Sequence, residues 1–272
     1  MIGALLGMRD LLQDFEWFVD REEATTHSLA RLAERIASGQ APKNPAEFEA
    51  RNFARRYARF RARYSAGIAL KTIAPEVRWL LDRVDGRPIG SRVALEVGSL
   101  GLLFGVVDGE EDLQTIFPGT QSLYETQADY HSITDWVLGV ESRPEGYGSP
   151  EQEKGPQSIW KVIDPARAGE LSAAKSALET FVNEQWIPEH LNGLHLDPQH
   201  HTFHGEWCWE GALAAVRYDI DDSALVGTAH WPSDLVAAAR AGTVFPRTSD
   251  RDYGAPMLRD WAASRSVGFE WS

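Results

Sequence analysis

The chain has 272 residues and a formal net charge of −13 at pH 7. Its hydrophobic content of 43% and charged content of 25% are ordinary for a globular protein, and its length allows one large domain or two small ones. The single cysteine, Cys208, excludes an intramolecular disulfide framework and favours a reducing compartment. Because it lies between two tryptophans, we expect a small core residue and not a catalytic thiol.

The charge is unevenly distributed along the chain. Residues 1–90 contain 15 Lys and Arg against 12 Asp and Glu, whereas the rest of the chain has a net charge of −16. Acidity of this size repels nucleic acid and favours a basic protein partner, although it also serves solubility. The N-terminus lacks the basic segment of a secretory signal, and no apolar run approaches the ~18 residues of a membrane span. We therefore expect a soluble cytoplasmic protein.

The N-terminal part is predicted to be helical. A heptad-like apolar stripe predicts a first helix from about Arg9 to Ser38, which Gly39 ends, and Asn44-Pro45 opens a second helix. That helix carries Arg51, Arg55, Arg56, Arg59, Arg61 and Arg63. These arginines could grip nucleic acid, but the whole-chain charge favours a solvated face that pairs with acidic neighbours.

Further helices follow in the middle of the chain. Pro75 is predicted to open a helix through Val84, and the apolar segment Val93–Val107 favours a central buried helix. The glycines of that segment lack the spacing of a dinucleotide fingerprint, so close helix packing is the better account. Three more helices are predicted, at Glu110–Phe117, at Gln127–Val140 and from Asp164 to about Trp186. Residues 141–158 are predicted to form a loop.

The stretch from His204 to Leu235 carries most of the motif information. It predicts a helix over about 203–218, a loop, a short helix at Ser223–Val226 and a helix that begins near Pro232. A mid-helix glycine such as Gly211 costs about 1 kcal/mol relative to alanine, which indicates close approach of a neighbouring helix.

The aspartates of the loop allow two interpretations. Asp219, Asp221 and Asp222 can contact a partner, because a loop between helices presents them to solvent. Asp221 or Asp222 can instead cap the short helix, and capping alone would explain Asp222.

The histidines and glutamates of this region allow one enzymatic interpretation, a metal-dependent helical hydrolase. Five histidines lie close together: His190, His195, His200, His201 and His204. Two of them have i, i+4 spacing, and Glu206 and Glu210 would share a helix face, which suits acid–base chemistry. The chain lacks the H-E-x-x-H arrangement, so ordinary loop and cap histidines are the favoured interpretation.

The spacing of the C-terminal motifs resembles the C-terminal domain of the PoNi family, which are immunity proteins against polymorphic nuclease effectors. The matching residues are Gly205, Trp207, Glu210, Ile220, Asp221, Asp222, Ser223, Trp231, Pro232, Asp234 and Leu235. His204 and Glu206 stand where the family usually has tyrosines. The run Tyr64-Ser65-Ala66-Gly67 is similar to an element of the family's N-terminal domain.

The resemblance implies an all-α protein of two closely packed helical domains, over residues 1–120 and 121–272. It implies an immunity protein that is not an enzyme and that neutralises a nuclease toxin, a secreted effector of type VI interbacterial competition. We expect no cofactor, metal or catalytic residue. The toxin-binding candidates are Asp219, Asp221, Asp222 and Glu206. Gly205, Trp207, Glu210, Ser223, Trp231, Pro232 and Asp234 are expected to be structural.

Overall fold

The computed structural model describes residues 9, 13–39, 45–84, 91–117, 131–139, 157–190 and 203–245. These residues form helices and loops with no strand among them, so the prediction of an all-α fold is confirmed. The helices are α1 (Phe15–Ala37), α2 (Pro45–Ser65), α3 (Leu70–Val84), α4 (Ser91–Leu103), α5 (Glu110–Ile116), α6 (His131–Val137), α7 (Trp160–Arg167), α8 (Leu171–Thr180), α9 (Trp186–His190), α10 (Trp209–Arg217) and α11 (Ser233–Arg240).

The chain divides into two compact units. One consists of residues 1–76, 197–206 and 248–272, and the other of residues 77–196 and 207–247. These bounds differ from the predicted division at residue 120, but Thr120 lies outside the described residues. The division into residues 1–120 and 121–272 therefore stays a prediction.

The first unit is built on the packing of α1 against α2. Asp14 caps α1, because its Oδ1 accepts a hydrogen bond from the backbone N–H of Trp17 at 2.9 Å. The helix therefore begins later than the predicted Arg9. Gly39 follows its end with a φ of 73°, and α2 begins at Pro45, both as predicted.

The arginines of α2 are less exposed than the sequence suggests. Arg63 is only 1% exposed, and its guanidinium lies 2.8 Å from Glu22 and also pairs with Glu76. The predicted pairing with acidic neighbours is confirmed for this residue, but its predicted solvated position is wrong. The reason is that Arg63 lies next to Phe60 and Tyr64 on the buried stripe of α2.

The boundary between the two units falls within α3. This helix begins at Leu70, so the predicted start at Pro75 is wrong. Pro75 lies inside the helix, where the lack of an N–H removes one intrahelical hydrogen bond without ending the helix.

The second unit surrounds the buried helix α4, as the apolar segment predicted. α4 packs against α5, α6, α10 and α11. A Cβ at Gly98 would lie 3.0 Å from Val137 Cγ1, and one at Gly101 would lie 3.0 Å from Leu81 Cδ1. The prediction that these glycines serve close packing is confirmed.

The predicted single helix from Asp164 to Trp186 is wrong. α7 already begins at Trp160, and the chain turns at Gly169 with a φ of 79° before α8 begins. A π-helical turn, Phe181–Gln185, then joins α8 to α9. Residues 141–156 of the predicted loop lie outside the described residues, and Gln157–Ile159 form a 3₁₀ turn.

The C-terminal motif stretch begins as an extended segment. The helix predicted from about Phe203 starts only at Trp209, because Gly205 adopts a φ of 88°, which a helix does not allow. The predicted short helix is confirmed as a 3₁₀ turn, Ser223–Leu225, and Pro232 directly precedes α11. None of the described helices is long and apolar enough to cross a membrane.

Candidate functional site

Asp222 is the buried centre of the C-terminal motif. It is 6% exposed, and its Oδ2 accepts a hydrogen bond from Trp231 Nε1 at 2.8 Å. Its Oδ1 accepts from Arg240 Nη1, and Arg240 Nη2 also donates to the carbonyl of Ile220. The carboxylate thus fastens the loop to α11. The capping interpretation is wrong for Asp222, whose side chain makes no cap hydrogen bond.

Asp221 points to solvent instead. Its side chain is 58% exposed, and its Oδ2 accepts from Lys175 Nζ on α8 at 2.5 Å. Its Oδ1 accepts from the backbone N–H of Ser223 at 3.0 Å. The hydrogen bonds from Lys175 and Ser223 hold the pKa of Asp221 well below its usual range, and the same contact raises the pKa of Lys175. Asp221 therefore carries a full negative charge at the surface.

Asp219 is also exposed, in the left-handed conformation with a φ of 51°. The residue before it, Tyr218, is held by two donors. Its Oη accepts from Trp136 Nε1 at 3.0 Å and from Arg167 Nε at 3.2 Å. The loop that carries Asp219 and Asp221 is therefore anchored on Tyr218 at one end and on Asp222 at the other.

Glu206 belongs to the first unit, apart from the three aspartates, which belong to the second. Its Oε1 accepts from Arg61 Nη1 at 2.6 Å, and its side chain is 12% exposed. Because α10 begins at Trp209, Glu206 and Glu210 do not share a helix face. The predicted i, i+4 carboxylate pair is therefore wrong.

Glu210 is fully buried and has a specific partner. Its Oε1 accepts a hydrogen bond from Trp186 Nε1 at 2.7 Å. This bond offsets part of the free-energy cost of burying the carboxyl group. Cys208 is also fully buried, so burial, with the nearby Glu210 carboxylate, raises the pKa of its thiol well above the usual value. The prediction that Cys208 is a core residue is confirmed.

The tight packing predicted at Gly211 is confirmed. A Cβ there would lie 2.7 Å from Cys208 Sγ, 3.5 Å from Trp231 Cζ3 and 3.6 Å from Leu178 Cδ1. The glycine thus lets α10 approach both the motif tryptophan and α8. Among the other motif residues, Gly205, Trp207 and Pro232 are buried, Ser223 is exposed beside Asp221, and Asp234 lies in the first turn of α11. Their structural role stays a prediction.

Sequence reasoning missed the basic partners of this region. These are Lys175, Arg240 and Arg217. Arg217 donates a hydrogen bond to the carbonyl of Trp136 at 2.7 Å and pairs with Glu110 at 2.7 Å. A usable signal existed, because Arg217 and Arg240 each close a helix in a strongly acidic part of the chain. A basic residue in such a place has carboxylates and helix carbonyls within reach.

Most of the histidine cluster lies outside the described residues. This applies to His195, His200 and His201, while His190 ends α9. The backbone carbonyl of His204 accepts from Ser65 Oγ at 3.4 Å. Within the described ranges, no group of three or more potential metal ligands occurs. The metal alternative is thus untested for the rest of the cluster.

Comparison with known proteins connects this region to a family. Residues 148–235 match the family model of PoNe immunity proteins (PoNi), C-terminal. The fold is similar to the crystal structure of protein PA2201 from Pseudomonas aeruginosa, with a TM-score of 0.57 and 17% identity over 87% of this chain and 92% of that one. No curated protein matches the chain. The resemblance to the PoNi family predicted from the motif spacing is therefore confirmed, over residues 148–235.

Proposed function

We propose that this chain is a non-enzymatic immunity protein that binds a cognate nuclease toxin in the cytoplasm and neutralises it. The observation that carries the proposal is the family match over residues 148–235, which covers the loop with Asp219, Asp221 and Asp222. The toxin would be a DNase effector delivered between competing bacteria by a type VI secretion system.

The proposed mechanism is occlusion of the toxin's DNA-binding surface by an acidic surface. Residues 91–272 have a net charge of −16, and a protein that binds DNA phosphates presents lysines and arginines. Asp219 and Asp221 are exposed on an anchored loop, where Asp221 is paired with the partly exposed Lys175, so both carboxylates are accessible to such a surface. Complementary potentials accelerate encounter and exclude wrong partners.

Co-expression in a bacterium tests the proposal. The chain is expressed with the nuclease encoded beside its gene, and growth and chromosomal DNA integrity are scored. A catalytically inactive form of the same nuclease serves as the control for general expression burden. We expect rescued growth, intact DNA and a complex that co-purifies. Toxicity that the chain does not relieve, together with no complex, would overturn the proposal for that nuclease.

Two measurements separate this function from the other classes. A stoichiometric metal in the purified protein would favour the hydrolase built on the histidine cluster. A steep salt-dependent affinity for DNA would favour nucleic-acid binding through α2. The ion pairs of Arg63 and Arg61 with Glu22, Glu76 and Glu206 support the expectation of weak DNA binding, because they compensate positive charge within the unit.

A further inference from the structure

Two hydrogen bonds connect the loop 218–221 to α7 and α8. Arg167 Nε on α7 donates to Tyr218 Oη at 3.2 Å, and Lys175 Nζ on α8 donates to Asp221 Oδ2 at 2.5 Å. Leu171 stands between these two contacts along the chain. The loop therefore contacts both helices, and the exposed and partly exposed residues at and beside these two contacts are called here the Lys175–Asp221 surface. It comprises Arg167, Leu171, Lys175, Glu179, Tyr218, Asp219 and Asp221.

This surface has the composition of a protein-binding surface. Leu171 is 44% exposed although it is a large hydrophobic residue, and it lies one helical turn before Lys175 on α8. Glu179 lies one further turn along the same face and contributes to the raised pKa of Lys175. An exposed apolar side chain one helical turn from a charged pair is consistent with an interface in which an apolar contact has a polar rim.

The ion pair at the centre is also open to exchange. Both partners are partly exposed, with 34% of the Lys175 side chain and 58% of the Asp221 side chain accessible. Pairs of this kind contribute little to stability, because solvent screens them and both side chains lose freedom. A guanidinium can form two parallel hydrogen bonds with a carboxylate, whereas an ammonium approaches it as a point charge. An incoming arginine can therefore replace the lysine on Asp221.

We infer that the nuclease toxin docks on the Lys175–Asp221 surface. In the complex, a basic side chain of the toxin replaces Lys175 as the partner of Asp221. The inference rests on the proposed function, and charge complementarity supports this occupant. The surface carries three carboxylates, of Glu179, Asp219 and Asp221, against the two cations Arg167 and Lys175, and all its residues lie within the family match at 148–235. A basic side chain must displace Lys175 before it can bind Asp221, so Lys175 weakens the binding of partners that make no better contact with this carboxylate.

The test measures the binding of the chain to the nuclease domain encoded beside its gene. It gives the equilibrium dissociation constant and the association and dissociation rate constants of the complex. We expect Lys175→Gln to tighten binding about two- to fivefold, because a competing cation is removed. Asp221→Asn is expected to weaken binding about tenfold or more. In the double variant the gain from Lys175→Gln should disappear, since its target carboxylate is gone.

Matched variants control for net charge and for exposed hydrophobic area. Lys161→Gln removes the same charge from an exposed lysine on α7 and should change the affinity less than about twofold. Leu171→Ser should weaken binding about fivefold or more, whereas Val244→Ser, at a residue that is 66% exposed, should not. All substituted residues are partly or fully exposed, and circular dichroism verifies the fold of each variant.

The outcomes separate the inference from the function on which it rests. If the wild-type chain does not bind the nuclease, the proposed function fails, and the docking surface with it. If the wild type binds but Lys175→Gln binds no more tightly than Lys161→Gln, the exchange on Asp221 is wrong. If Asp221→Asn and Leu171→Ser also leave the affinity unchanged, the toxin docks elsewhere and the immunity function stands.

Discussion

Two adjacent aspartates in one loop have opposite physical roles. Asp222 is buried between Trp231 and Arg240, while the side chain of Asp221 is mostly exposed and accepts hydrogen bonds from Lys175 and Ser223. A buried carboxylate with two specific donors fixes the backbone, and an exposed one is free to exchange partners. The loop therefore combines a rigid base with an accessible charge.

A substitution at each aspartate should separate these roles. Asp222→Asn removes the negative charge that Arg240 meets and leaves an amide beside its guanidinium. We expect a loss of about 1–3 kcal/mol in the free energy of unfolding, measured by urea denaturation. Asp219→Asn, at an exposed position, should change it by less than about 0.5 kcal/mol. Equal losses from both variants would contradict the anchoring role of Asp222.

The buried thiol of Cys208 should make stability depend on alkaline pH. Burial raises its pKa in the folded state, so above about pH 8.5 the unfolded chain releases this proton first. Its contribution is fully present below that pH and is lost as the pH rises toward the folded-state pKa. The unfolding free energy of the wild type minus that of Cys208→Ala should therefore fall by about 1.4 kcal/mol for each pH unit above about pH 8.5. Parallel pH profiles, measured in reducing buffer, would rule out this burial effect.

At the scale of elements, buried ion pairs and glycine conformations decide what the helices present. α2 carries six arginines, yet Arg63 lies inside the first unit between Glu22 and Glu76. The pairing turns part of a basic helix into a structural element. Gly205 also has this kind of effect, because its left-handed backbone is incompatible with a helix. Glu206 therefore lies outside α10 and pairs with Arg61.

Removal of Arg63 should therefore destabilise the protein strongly. Arg63→Ala removes the buried cation that contacts both Glu22 and Glu76, although Arg59 Nε stays 3.6 Å from Glu76, and we expect a loss of about 3–5 kcal/mol in unfolding free energy. Arg31→Ala, at an exposed arginine of α1, provides the control and should stay within about 0.5 kcal/mol. Adding Glu22→Gln and Glu76→Gln to Arg63→Ala should restore part of the loss. No recovery in this triple variant would mean that lost packing, and not unpaired charge, causes the destabilisation.

Local signals in the sequence predicted the elements better than their ends or their contacts. Gly39 and Pro45 act within one turn of the backbone, so they marked the end of α1 and the start of α2 correctly. Pro75 misled, because tertiary packing holds a helix through it. The family motif was also predictable, since residue spacing alone carries it. The sequence did not predict which aspartate is buried. Burial depends on the partners Arg240 and Lys175, which lie 18 and 46 residues away along the chain.

At the scale of the whole molecule, the net charge of −13 conceals an asymmetry. Residues 1–90 are slightly basic, while the remainder has a net charge of −16. In the first unit, part of the basic charge is paired internally through Arg61 and Arg63. In the second, Asp219 is exposed, and Asp221 is 58% exposed even in its ion pair with Lys175. The field that a distant basic protein meets is therefore dominated by the acidic part.

This asymmetry makes association with a basic nuclease dependent on salt. The Debye length shortens from about 30 Å at 0.01 M to about 8 Å at 0.15 M salt, which screens long-range attraction but changes close contacts much less. We expect the association rate constant to fall about tenfold or more over this range, while the dissociation rate constant changes little. Stopped-flow mixing or surface plasmon resonance gives both rates.

Two charge-matched variants locate the source of this attraction. Asp219→Asn with Glu179→Gln removes two carboxylates from the acidic part, and Asp20→Asn with Glu34→Gln removes two exposed ones from α1. Both pairs change the net charge equally, so a difference between them reports position and not total charge. The first pair should slow association severalfold and flatten its salt dependence, and the second should leave both near wild type. Equal slowing by the two pairs would show that total charge alone drives the encounter, and that the acidic part has no privileged role in it.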